Sequence, residues 1–180
     1  MQVKFTKRLI PLGATNRLGQ RRRPTLITIH ECSLGLGEAP PDRNLEYYIG
    51  LMERPKEGKK QVGYHYLVSD REIVQFIPDN EVTHHTGNAK GNQLSIGIER
   101  LVNEGTDFDK AISIQAKLTA TLMKKWNIPL LYVVPHRYWG DVNCPARLLA
   151  GQNGGWYDFH LHVKHLYVMK NFFQEVLDDT

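Results

Sequence analysis

Two cysteines, Cys32 and Cys144, are the whole thiol content of 180 residues. That excludes a disulfide-dense secreted scaffold, which needs several cross-links to replace a core; a single Cys32–Cys144 bridge stays open at this stage. No apolar run approaches the ~20 residues of a membrane span, so membrane insertion is not expected. The opening stretch MQVKFTKRLIPLG carries basic residues but neither a sustained apolar stretch nor a small-residue cleavage site. No export signal is therefore expected. Internal repeats and low-complexity tracts are absent too, which leaves one compact domain over residues 1–180 as the expectation.

What is present is ordinary in bulk, with 41% apolar and 23% charged residues. The net charge of +4 gives a diffuse attraction for acidic partners. Nucleic acid and anionic cell-wall polymers would both satisfy it. The densest basic run, Arg21–Arg23, is followed at once by Pro24, and no basic helix with interleaved aromatics comes after it. It reads as a short solvated patch, and nucleic acid is not an expected partner.

The β-branched stretch Thr25–Glu31 (TLITIHE) reads as a buried strand. Gly35–Asp42 reads as a loop, Asn44–Met52 as a short helix capped by Asn44, and Pro55–Lys60 as a polar turn. Gly63–Val68 and Ile73–Ile77 flank a hairpin turn at Ser69–Glu72. Thr83–Asn92 is polar with two glycines and reads as a loop, and Leu94–Val102 returns to strand character. Asp109–Trp126 is apolar near helical period, Tyr132–Val134 is a short strand or turn, His136–Cys144 is a loop, and Trp156–Leu177 is a second long helix. Strands interleaved with helices predict an α/β fold with a central mixed sheet flanked by helices. The core falls at about residues 24–150 and the C-terminal helix at about 156–177.

Three potential ligands stand out. His30 ends an apolar strand, and His136 is followed eight residues later by Cys144 on one loop. Imidazole and thiolate suit zinc, and three protein ligands leave a fourth position for water, the mark of a catalytic site. Taken singly, a histidine after a strand reads as a packed histidine and a lone cysteine as a small buried apolar residue. A competing set, His160, His162 and His165, lacks a neighbouring carboxylate and reads as a solvated helix face.

The words around these residues are more specific. The chain has ITIH at 27–30, GYHY at 63–66, HHTGN at 84–88, SIGIE at 95–99 and HRYWGDVNCPARL at 136–148. In that order they resemble the type 2 N-acetylmuramoyl-L-alanine amidases, the group of phage endolysins, autolysins, AmpD-like amidases and peptidoglycan recognition proteins. The resemblance implies a mixed sheet with a zinc site at strand ends, and one Zn2+ held by His30, His136 and Cys144. It implies Glu99 as the catalytic acid/base and Tyr64 as a catalytic hydroxyl, with His85 and Asn88 lining the substrate groove. The implied substrate is peptidoglycan, cut between N-acetylmuramic acid and L-alanine. The expected setting is a monomeric phage or prophage endolysin, made in the cytoplasm and acting on the wall after release, or else secreted by a route not visible in the sequence. Many relatives carry Lys two residues before the Cys ligand, where it steadies charge on the substrate carbonyl; here that residue is Val142. The departure keeps a non-catalytic peptidoglycan-binding module as an alternative, beside a muropeptide-recycling amidase.

Overall fold

The computed structural model describes residues 3–32, 42–54 and 62–169. Among these, six strands form one sheet: β1 (Lys4–Lys7), β2 (Leu26–Ile29), β3 (Tyr66–Val68), β4 (Glu72–Gln75), β5 (Ser95–Arg100) and β6 (Val133–Pro135). Their order is β1-β4-β3-β5-β2-β6. The β3–β4 pair is antiparallel and every other pair is parallel, so the sheet is mixed as expected. The helices are α1 (Leu45–Glu53), α2 (Ala89–Leu94), α3 (Phe108–Trp126), α4 (Ala146–Leu149) and α5 (Gly155–Val168).

The alternation of side chains along a strand sorts the central residues onto two faces. Ile27 and Ile29 of β2, with Ile96 and Ile98 of β5, enter a core that includes Ile112, Ile114 and Leu118 of α3 and Phe159 and Val163 of α5. On the opposite face Leu67, Val74 and Phe76 pack with Ile49 and Met52 of α1 and with Ile10. Both faces of the centre are covered, which is why β2 is buried at every position and reads as a continuous apolar run. Thr28 is the one polar residue of β2, and its hydroxyl donates to Ser95 Oγ of β5 at 2.7 Å.

Most expected elements are present, with shifted ends. Asn44 caps α1, its side chain accepting from the Tyr47 N–H at 3.1 Å. α3 starts one residue earlier than expected because Asp107, not Asp109, accepts from the Lys110 N–H. The Thr83–Asn92 segment is not all loop. Asn88 accepts from the Lys90 and Gly91 backbone N–H groups and starts α2, which also takes Leu94 from the expected strand. The basic Lys4–Lys7 stretch, given no element from sequence, is an edge strand paired with β4 and held by Lys4–Glu72 at 3.1 Å. Arg22 is not part of a solvated patch, since its Nη2 donates to Ser95 O at 2.8 Å. The expected loop at Gly35–Asp42 and turn at Pro55–Lys60 lie almost wholly outside the described residues, as does the last helix beyond residue 169. No described helix is long and apolar enough to cross a membrane.

Candidate metal centre

Strand register builds the site. β2 and β6 pair with Ile29 opposite Pro135, so the next residues, His30 and His136, emerge side by side from two parallel strand ends. β2 and β5 pair with Ile29 opposite Ile98, and the ladder continues through His30 N–H to Ile98 O and Arg100 N–H to His30 O. Glu99 therefore flanks His30 on the same face. The carboxyl ends of parallel strands are where α/β sheets place ligands. Cys144 arrives from a loop that opens with a 3-10 turn at His136–Trp139 and is closed by the Arg137 N–H donating to Cys144 O at 3.0 Å.

One donor atom each from His30, His136 and Cys144 lie within 4.8 Å of one another. Cys144 Sγ is 4.0 Å from His30 Nδ1, and Glu99 Oε1 is 3.7 Å from the same nitrogen. Tetrahedral zinc with bonds of ~2.1–2.3 Å separates its donors by roughly 3.5 Å, so the three need close in only slightly. The residues fit a metal ion.

The hydrogen bonds fix which ring nitrogens are bare. His85 Nε2 lies 3.1 Å from Ser95 O, a carbonyl that can only accept, so this nitrogen carries hydrogen. With its ring neutral, His85 Nδ1 then accepts from His30 Nε2 at 3.0 Å, and His30 turns an unprotonated Nδ1 towards Cys144 and Glu99. His136 Nε2 likewise donates to Thr86 O at 3.1 Å, leaving Nδ1 bare. Such outer partners set the tautomer and orientation of metal-binding histidines. Burial pushes the His30 imidazole well below its usual range, with His85, His136 and His65 adding to the effect, and burial also lowers His136. Both rings are thus held in the neutral form a metal requires.

Burial pushes Glu99 up to about 7; Glu31 adds to this and a hydrogen bond from Cys32 opposes it. The Cys32 thiol donates to Glu99 Oε2 at 3.5 Å. Both cysteines are free, which closes the question of a bridge. Sequence reading missed Cys32 as a neighbour of the site, although a residue two after a strand-end histidine shares its face. Glu99 does not pair with Arg100, whose guanidinium binds Glu31 on the reverse face at 2.7 Å.

The other expected residues take varied places. Tyr64 is buried, with its hydroxyl on Tyr48 O at 3.4 Å. His85, expected in the groove lining, is only 5% exposed and faces His30 and Ser95. It fits there because Gly97 has no side chain, as a Cβ at Gly97 would stand 2.6 Å from His85 Nδ1. Asn88 is committed to capping α2 and also donates to Trp139 O at 3.4 Å. Trp139, unremarked in the sequence, anchors the His136 turn by donating from Nε1 to Thr28 Oγ1 at 2.9 Å. His160 is not on a solvated face; its Nε2 donates to Val133 O at 2.9 Å, behind β6.

Residues 20–147 match the family described as N-acetylmuramoyl-L-alanine amidase. The chain is 37% identical over 162 residues to the N-acetylmuramoyl-L-alanine amidase XlyA of Bacillus subtilis (strain 168), covering 85% of this chain and 52% of that protein. It is 35% identical over 154 residues to CwlH of the same organism, covering 84% and 59%. The chain thus spans between half and three-fifths of these relatives. The solved catalytic domain of XlyA superimposes with a TM-score of 0.77 at 35% identity, over 89% of this chain and 99% of that one. A mutant endolysin from Bacillus subtilis gives a TM-score of 0.78 at 34% identity, over 90% and 99%. With the family match running from ahead of β2 into α4, the chain belongs to the N-acetylmuramoyl-L-alanine amidase family.

Proposed function

We propose that this chain is a zinc-dependent hydrolase that cuts peptidoglycan between the lactyl group of N-acetylmuramic acid and the L-alanine of the stem peptide. The reading rests on one observation above all: two neutral imidazoles and a thiol meet at the ends of parallel strands with a carboxylate 3.7 Å from one of them. His30, His136 and Cys144 would hold one Zn2+. Zinc supplies Lewis acidity, which polarises a carbonyl and makes water a nucleophile near neutral pH.

The chain's own groups do the rest. Glu99, at about 7, is matched to take a proton from the attacking water and return it to the leaving nitrogen. The Cys32 thiol keeps one carboxylate oxygen engaged and leaves the other facing the ligands. The Tyr64 hydroxyl, released from Tyr48 O, would donate to the oxyanion in place of the side chain that Val142 lacks. We assign His85 to orienting His30, and Asn88 to holding α2 against the His136 turn. The setting that fits best is a phage or prophage endolysin acting on the wall after release.

The test is digestion of purified peptidoglycan followed by mass spectrometry. Stem peptides with new L-alanine amino termini should appear, vanish with a chelator and return with zinc. Glu99→Ala should abolish release while the protein still sediments with cell walls. Unbroken amide linkages after long digestion by zinc-loaded protein would instead favour a binding module.

A further inference from the structure

The geometry points to Glu31 as a positioning residue that sets the distance between the two halves of the metal centre, working from the reverse face of the sheet. This rests on the proposed metal site. Glu31 follows His30, so strand alternation turns its side chain away from the site, to the side where Arg100 also points. Its two carboxylate oxygens do different things. Oε2 accepts from Arg100 Nη2 at 2.7 Å, and both side chains are only 1% exposed. Oε1 accepts from the Arg147 backbone N–H at 2.9 Å.

Arg147 lies three residues beyond Cys144, in the first turn of α4, whose Pro145 cap supplies no side-chain acceptor. Glu31 fills that role from another element, as a carboxylate at a helix start does. One residue therefore joins the strand that ends in His30 to the loop that brings Cys144. Arg100 in turn fixes the carboxylate, since β5 runs beside β2 and the Arg100 N–H donates to His30 O at 3.2 Å. Arg147 closes the other side by laying its guanidinium over the Phe108 ring at 4.2 Å. Without this clasp the His136 end of the loop keeps its anchor on Thr28 through Trp139, and the Cys144 end keeps its bond to Arg137 but loses the Glu31 bond that holds it beside His30.

Zinc affinity by competition with a chromophoric chelator, and the thiolate-to-metal absorption band of the Co2+-loaded protein, test this. Glu31→Ala strands the buried Arg100 guanidinium, so the double variant Glu31→Ala/Arg100→Met, which removes both charges, is measured beside it. Both should bind zinc 10–100-fold more weakly and show a weakened cobalt band. Tyr66→Phe, which loses the buried bond to Asp79 remote from the ligands, should melt at a lower temperature with unchanged affinity. Parental affinity and band in the double variant would overturn the proposal. So would an equal loss of affinity in Tyr66→Phe, since affinity would then only follow stability. A parent protein that takes up neither ion refutes the metal site itself, and this inference falls with it.

Discussion

His65 gives the sharpest test of how the floor of the site is built. Its ring is fully buried and edge-on to His85, with centroids 5.7 Å apart. The Gly97 backbone N–H donates to Nδ1 at 2.9 Å, so that nitrogen is unprotonated, and Nε2 donates to Glu81 O at 3.0 Å. A second proton would break the Gly97 bond and set a cation beside Arg22, whose Nη2 stands 3.0 Å from the ring. Burial first, then Arg22, lowers His65 from 6.5 to about 3, against a smaller opposing effect of Glu81. Between pH 6.5 and 3 the unfolded chain binds this proton and the folded chain does not. The stability His65 contributes is therefore complete above pH 6.5 and is lost as pH falls towards 3. The slope is about 1.4 kcal/mol per pH unit, or about 2.7 kcal/mol from pH 6.5 to 4.5. That is a large share of the ~5–15 kcal/mol a domain has. Urea unfolding of the parent and of His65→Gln at several pH values, both metal-free, measures it. The variant should be less stable at pH 7 but flatter towards acid by about 1.4 kcal/mol per unit. Equal slopes would refute the buried, neutral assignment.

Two further substitutions probe the site. Gly97→Ala places a methyl 2.6 Å from His85 Nδ1, forcing the ring off His30. Stability should fall by ~1–3 kcal/mol and zinc affinity by about tenfold or more, read by thermal melting and chelator competition. Val142 is 37% exposed, so Val142→Lys should change stability by less than ~0.5 kcal/mol. If oxyanion stabilisation limits the reaction, it should raise turnover on peptidoglycan about tenfold or more; an unchanged rate would show that the existing donors suffice.

The five words in the chain brought these residues forward because they encode alternation as well as donor side chains. In ITIH and SIGIE the isoleucines face α3 and α5 while Thr28, His30, Ser95, Gly97 and Glu99 share the other face. Local patterns also gave α1 its cap and α3 its length. The cap of α2 was missed because an Asn followed by Ala-Lys-Gly lacks an apolar period to announce a helix. β1 was missed because two exposed lysines flank a centre of only Phe5 and Thr6, and only pairing with β4 makes it a strand. His85 was placed in the groove because its word resembles a groove-lining segment. Whether a loop ring turns outward or inward depends on the space behind it, here opened by Gly97 on another element.

What the sequence settled alone is what short-range physics controls: a buried strand ending in histidine, a late loop with His and Cys, and a glutamate closing another strand. Which residues meet was decided by the sheet. Parallel pairing of β2 with β6 and β5 sets His30 beside His136 and Glu99, and no local propensity contains that register. Tautomers, the neutrality of buried rings and the Glu31 clasp followed only from packing, because each is imposed by a partner distant in the chain.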